Sequence, residues 1–337
     1  MSRIAEDRSV NSMPSIIRGI VFCAVGCALL FAMPLHSRAD TVLRIGHFPN
    51  ITHAQGLVAH ALTREGHGWF EQRLGPGVTI QWYVYNAGPA AMEGLIAKSL
   101  DLTYVGPNPA LNVYAKSDGA ETRIVSGAAE GGSALVVQPD ESLASATDFR
   151  GKKLATPQLG NTQDVAARSW LIAGGLRITQ TGGDAQVLPT ANPDQLLLFK
   201  QKQLDGVWTV EPWVSRLETE AGGKVLVDEP DAITTVLVAR AAFLDSNRDL
   251  VARFVAAQQE LTDWIVAHPD DAQRLVRNEL AAETQVDVPP ELIRRSWQRI
   301  RWVHEVKRSA LDDVVKSAQA VGFLRDVPDL SRLIVQP

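Results

Sequence analysis

Four short segments place polar side chains and helix-starting residues directly after apolar, strand-like runs. They are Pro49-Asn50-Ile51-Thr52-His53, Gly106-Pro107-Asn108-Pro109, Gln158-Leu159-Gly160-Asn161-Thr162 and Thr209-Val210-Glu211-Pro212-Trp213. The first N–H groups of a helix have no partner within it, and they carry partial positive charge. Convergent helix starts therefore suit an oxyanion without needing a cationic side chain. None of the four segments contains Lys or Arg; Arg168 stands six residues beyond Thr162.

Each side chain has a functional and a structural reading. Asn161 and Thr162 are donors to an anion or plain N-caps. Asn108, held between two prolines, is a rigid donor or an Asx-turn residue. His53 bonds a ligand or starts a helix. Trp213 covers an apolar ligand tail or joins the core. Glu211 pairs with a ligand amine or complements a helix dipole. Tyr85 and Tyr104 line a cleft or belong to buried strands. Asn50, Gly106, Gly160 and the neighbouring pair Gly132-Ser133 complete the candidate binding set, with Glu130 and Asp164 as nearby acids. Those acids leave room for a zwitterion, and a neutral or aromatic solute also fits.

Other chemistry is weakly represented. His53, His60 and His67 recur every seven residues. On a straight helix that is about 10.5 Å per interval, too far for one metal ion, so they read as a solvated or partly buried face. There is no Walker loop, no G-x-S-x-G elbow and no H-E-x-x-H. Glu130-Gly131-Gly132-Ser133 lacks the lysine of a phosphate loop. The expectation is no catalytic residue, no metal and no cofactor.

The elements that must hold these segments alternate. Strand patterns at 42–47, 78–85, 102–105 and 122–126 are separated by helical patterns at 54–63, 90–99 and 110–115. The rhythm resumes with strands at 133–138, 153–156, 185–188, 206–209 and 224–227. Helices at 165–173, 193–201 and 212–220 lie between them. A strand at 234–239 precedes helices at 248–268, 270–280, 290–300 and 309–321. Such alternation predicts an α/β fold with mainly parallel sheets flanked by helices. Glu130-Gly131-Gly132 and Asp228-Glu229-Pro230-Asp231 read as joints. Together they predict two lobes: residues 40–130 plus 232–337, with 133–229 inserted as the second.

The chain has 337 residues with 33 Lys+Arg and 38 Asp+Glu, so its net charge of −5 gives no reason to expect nucleic-acid binding. Residues 1–39 carry Arg3, Arg8 and Arg18, an apolar run from Gly19 to Met33, and the small-residue exit Ser37-Arg38-Ala39. This is the pattern of a cleavable export signal, and the run is shorter than the ~20 residues of a spanning helix. Cleavage near Ala39 would remove four basic and two acidic residues, taking the net charge from −5 to −7. It would also remove both cysteines, Cys23 and Cys27; an uncleaved anchor and lipidation at Cys27 are the alternatives.

Several stretches, in their order along the chain, resemble the periplasmic solute-binding proteins for aliphatic sulfonates, taurine and nitrate. They are Ile45-Gly46-His47-Phe48-Pro49-Asn50, Asn86-Ala87-Gly88, Leu102-Thr103-Tyr104-Val105-Gly106, Ala144-Ser145-Ala146-Thr147-Asp148-Phe149-Arg150-Gly151-Lys152-Lys153-Leu154-Ala155, Leu159-Gly160-Asn161-Thr162, and Leu204 to Trp213. The resemblance implies a two-lobed, hinged, monomeric receptor in the periplasm. It would capture a small-molecule solute between its lobes and deliver it to the membrane permease and ATPase of an ABC importer. The competing expectations are an enzyme of cofactor or precursor biosynthesis on the same two-lobed fold, and a ligand-sensing protein that docks on a receptor.

Overall fold

A computed structural model describes residues 41–139, 142–327 and 329–337. The export signal, its cleavage point and Cys27 lie outside the described residues. In chain order the elements are β1 (Thr41–His47), a 3-10 turn (Ile51–His53), α1 (Ala54–Arg64), α2 (Trp69–Leu74), β2 (Val78–Val84), α3 (Gly88–Ile96), β3 (Leu102–Val105), α4 (Pro107–Lys116) and β4 (Thr122–Gly131). Next come β5 (Ser133–Val137), β6 (Lys153–Thr156), α5 (Thr162–Ala173), β7 (Gln186–Pro189), α6 (Asn192–Lys200), β8 (Gly206–Val210), α7 (Trp213–Ala221) and β9 (Lys224–Asp228). The chain ends with β10 (Ile233–Arg240), α8 (Ala241–Ser246), α9 (Arg248–Ala267), α10 (Pro269–Thr284), α11 (Pro290–Trp297), β11 (Ile300–Trp302) and α12 (Arg308–Ala320). Among the described residues no helix is long and apolar enough to cross a membrane.

Two sheets result. The first has the order β11-β4-β10-β3-β1-β2 and the second β7-β6-β8-β5-β9. Both are covered on both faces, which explains why their strands read as continuous apolar runs. Successive residues of β10 go to opposite faces: Leu237 and Ala239 join Leu43, Ile45, Phe70 and Phe254, whereas Val236 and Val238 join Val105, Tyr114 and Leu311. In β5, Leu135 and Val137 pack with Phe149 and Trp208, while Ala134 and Val136 pack with Phe199 and Val214.

Among the described strands, β1 pairs parallel with β2 and β3, and β6 with β7 and β8. The strands that carry the chain from one sheet to the other pair antiparallel: β4 and β10 in the first, β5 in the second. Both sheets are therefore mixed, because a strand that arrives from the other sheet need not follow a right-handed β-α-β crossover.

Three local expectations are corrected. Glu130 and Gly131 are not a loose joint but the end of β4, which runs five residues past the expected strand, and Glu130 is buried and held by Arg301. Only Gly132 separates β4 from β5; Gly131 and Gly132 both take positive φ, 77° and 70°, which glycine adopts without strain. Pro107-Asn108-Pro109 is the first turn of α4 rather than a loop before it. The helix expected over 290–300 stops at Trp297, and Ile300–Trp302 pairs with β4 as an edge strand.

Candidate functional site

The helix starts meet. Asn50, Thr52 and His53, the N-terminus of α3 (Asn86, Ala87, Gly88), Gly106 and Pro109 at the start of α4, Asn161–Gln163 at the start of α5 and Asn192 of α6 surround a small cavity of about 30 Å³. Phe48, Pro157, Val210 and Thr234 complete its wall. No residue of this wall is Lys, Arg, Asp or Glu. Its electrostatic character therefore comes from backbone N–H groups and aligned helix dipoles, which favour negative charge.

The local sequence explains each start. Asn161 caps α5, accepting from the Asp164 N–H at 2.8 Å, and its Nδ2 donates to Gln163 Oε1 at 3.2 Å. Asp164 is turned away from the cavity: Thr156 Oγ1 and the Gly160 N–H each donate to it at 2.9 Å, and Arg168 Nε at 3.0 Å. Arg168 is thereby spent inside the protein. Prolines sit in the first turns of α3, α4 and α6, where a missing N–H costs nothing.

Two polar atoms on the cavity wall are buried without a partner among the described residues: His53 Nδ1 and Thr162 Oγ1. His53 packs its ring 4.2 Å from that of Phe48. Burial, reinforced by the field of His47, pushes its pKa well below the usual imidazole range, so it is neutral. Gly106 is required by proximity, since a Cβ there would fall 2.3 Å from Thr162 Oγ1.

A larger groove, about 520 Å³, adjoins this cavity and shares Asn50, Asn86 and Asn192 with it. Val84, Leu196, Trp213, Leu280, Val286 and Val288 make it mostly apolar. Trp213 lies in its wall, donating from Nε1 to Asn50 Oδ1 at 3.2 Å, with the Arg216 guanidinium 4.7 Å over its ring.

The expected site residues thus divide. Asn50, His53, Gly106, Asn161 and Thr162 share the small cavity, and Trp213 lines the groove. Asn108 and Gly160 share another pocket, with Leu111, Val165 and Phe323, and Asn108 also lines a pocket of about 350 Å³ with Thr162 and Glu229. Gly132 packs on Ile300 and Thr52, and Ser133 donates to Glu229 Oε2 at 2.6 Å. Glu211 is fully buried; the Ser215 N–H, Ser215 Oγ, Ser296 Oγ and Arg299 all donate to it at 2.8–3.1 Å, leaving its carboxylate committed to the protein. Asn86-Ala87-Gly88 and Asn192 were absent from the expected set, although each follows a strand and opens a helix as the four expected segments do.

The NMT1-like family profile matches residues 37–281. The chain belongs to the NMT1-like family. A chain of Brucella abortus (strain 2308) named as a binding protein is 26% identical over 260 residues, covering 74% of this chain and 75% of the relative. The alkanesulfonate-binding protein SsuA from Xanthomonas axonopodis pv. citri, bound to MOPS, superimposes with a TM-score of 0.71 at 17% identity, over 89% of this chain and all of that one. The periplasmic nitrate-binding protein NrtA from Synechocystis PCC 6803 gives 0.69 at 14% identity, over 87% and 84%. This member of the NMT1-like family therefore has the α/β fold of periplasmic binding proteins, as the sequence resemblance implied.

Proposed function

We propose that this protein is the extracytoplasmic solute-binding component of an ABC importer. It captures a small organic anion or zwitterion of the sulfonate, taurine or nitrate type. The observation that carries the reading is the convergence of five helix starts, from both sheets, on one cavity that has no charged side chain. A small oxyanion head would accept from those N–H groups and from Thr162 Oγ1. The adjoining apolar groove would take an alkyl or aryl tail against Trp213.

The two sheets act as jaws, with residues 133–229 as the inserted jaw and Gly132 and residues 230–232 as the hinge. Closure would carry α5 and α6 over the β1, β2 and β3 strand ends, the hinge motion of two-lobed receptors. Export by the N-terminal signal and delivery to a permease and ATPase complete the role, without chemistry on the solute.

A thermal-shift screen with alkane- and arylsulfonates, taurine, nitrate, bicarbonate and aromatic acids tests this. A solute present at a hundredfold excess over its Kd stabilises the folded state by about 2.7 kcal/mol. A rise in Tm with one of these anions is expected. A flat response across the panel contradicts the anion reading.

A further inference from the structure

A second cluster of chemistry-bearing side chains lies apart from the helix-start cavity. His47 ends β1, His60 lies in α1, and Glu279 and Glu283 stand one turn apart in α10. Their side chains are 0%, 11%, 1% and 1% exposed. His47 Nε2, His60 Nδ1 and Glu283 Oε1 form a triangle with all three sides 3.1 Å.

That triangle is the size of one face of a metal tetrahedron. Bonds of about 2.0–2.1 Å at tetrahedral angles separate neighbouring ligand atoms by roughly 3.3–3.4 Å. Hydrogen bonding alone serves the same atoms poorly. His60 Nδ1 has one proton at most, yet it faces His47 Nε2 and Glu283 Oε1 at 3.1 Å and Glu279 Oε1 at 2.8 Å. His47 Nδ1 faces the Phe48 carbonyl at 3.4 Å, and a proton shared there leaves the Nε2 lone pair for the cluster. Glu283 Oε2 is buried with no partner among the described residues.

We propose that His47, His60 and Glu283 form a binding site for a divalent transition-metal ion of the zinc class. Two imidazoles and one carboxylate are a zinc donor set, and three protein ligands leave a coordination position open. Glu279 lies beside the cluster and is itself held by Arg64, whose Nε lies 2.9 and 3.0 Å from its two oxygens. Glu283 also lines the apolar groove, which gives an ion a route in. The site would tie β1, α1 and α10 together within the part of the molecule built on the first sheet, and it does not depend on the solute reading. The seven-residue histidine spacing is unrelated to it: His53 faces the helix-start cavity, His67 is exposed, and only His60 belongs to the cluster.

The test uses the untagged protein titrated with Zn²⁺ and with Co²⁺ against a chromophoric chelator, with elemental analysis after dialysis. One equivalent per chain is expected, together with a higher Tm and, for Co²⁺, quenching of Trp82, whose indole stacks on His60 at 5.2 Å. Glu283→Gln and His60→Gln should each weaken binding at least tenfold, whereas His304→Ala, outside the cluster, should leave it unchanged. Circular dichroism confirms that both cluster variants fold; should one fail, the other decides. Substoichiometric uptake, or stoichiometric uptake that neither cluster substitution weakens, overturns the proposal.

Discussion

At the scale of single residues, His53 has an unusual position: a neutral imidazole, fully buried, with an unpartnered Nδ1 on the wall of the helix-start cavity. In the unfolded chain it titrates near its ordinary value of about 6.5, while in the folded protein it resists protonation. Below that value the unfolded state binds the extra proton, so stability falls as pH falls, with a slope of up to about 1.4 kcal/mol per pH unit. Denaturant unfolding between pH 7.5 and 5 should show this decline, and His53→Gln should flatten it. Glu283 behaves differently: burial alone would raise its carboxyl, but the bonds from His47 and His60 outweigh that and hold it at about 2, so it stays ionised throughout this range. Gly106 gives a steric prediction. Gly106→Ala would drive a methyl group against Thr162 and separate α4 from α5. Solute affinity should drop at least tenfold in calorimetry, with Tm changed by only a few degrees.

At the scale of elements, the starts of α5 and α7 are built differently. Asn161 caps α5 at the surface of the cavity, so Asn161→Ala should cost about 1 kcal/mol in urea unfolding and also weaken solute binding. Glu211, just before α7, serves packing instead. Arg299 reaches it from beyond α11 at 3.0 Å and bonds Glu218 at 2.9 Å. Arg299→Met would leave the fully buried Glu211 carboxylate with its serine donors but no cation. A loss of about 2 kcal/mol is expected in the same assay. These contrasts explain what could be read from the chain. The strand-helix alternation was legible because strand and helix periods differ, and it located nearly every long element. β11 was hidden because Ile300-Arg301-Trp302 continues a helical pattern; only pairing with Ala129, Glu130 and Gly131 makes it a strand. The end of β4 was hidden because Glu130-Gly131 reads as a turn, and its pairing with Ala232 and Ile233 comes from a distant part of the chain.

At the scale of the whole molecule, the same boundary governs the site. Asn50, His53, Gly106, Asn161 and Thr162 were legible because each stands where a strand pattern gives way to a helix pattern. Which helix starts share a cavity depends on sheet order, and the sequence does not carry that order locally. Thus Asn192 went unnoticed and Asn86, quoted only for the family resemblance, stayed outside the expected set, while Asn108 and Glu211 line other parts of the molecule. The histidine–glutamate cluster was invisible for the same reason, since His60 and Glu283 are 223 residues apart. The proposed grip on a small anion rests on helix starts from both sheets. Calorimetric titration of sulfonates, taurine and nitrate into the wild-type protein and into a folded Asn161→Ala, Thr162→Ala double variant tests it most directly. One-to-one binding of at least one of these anions by the wild type, and at least tenfold weaker binding by the variant, is expected. Equal affinity in the two proteins, or no binding by the wild type, would contradict it.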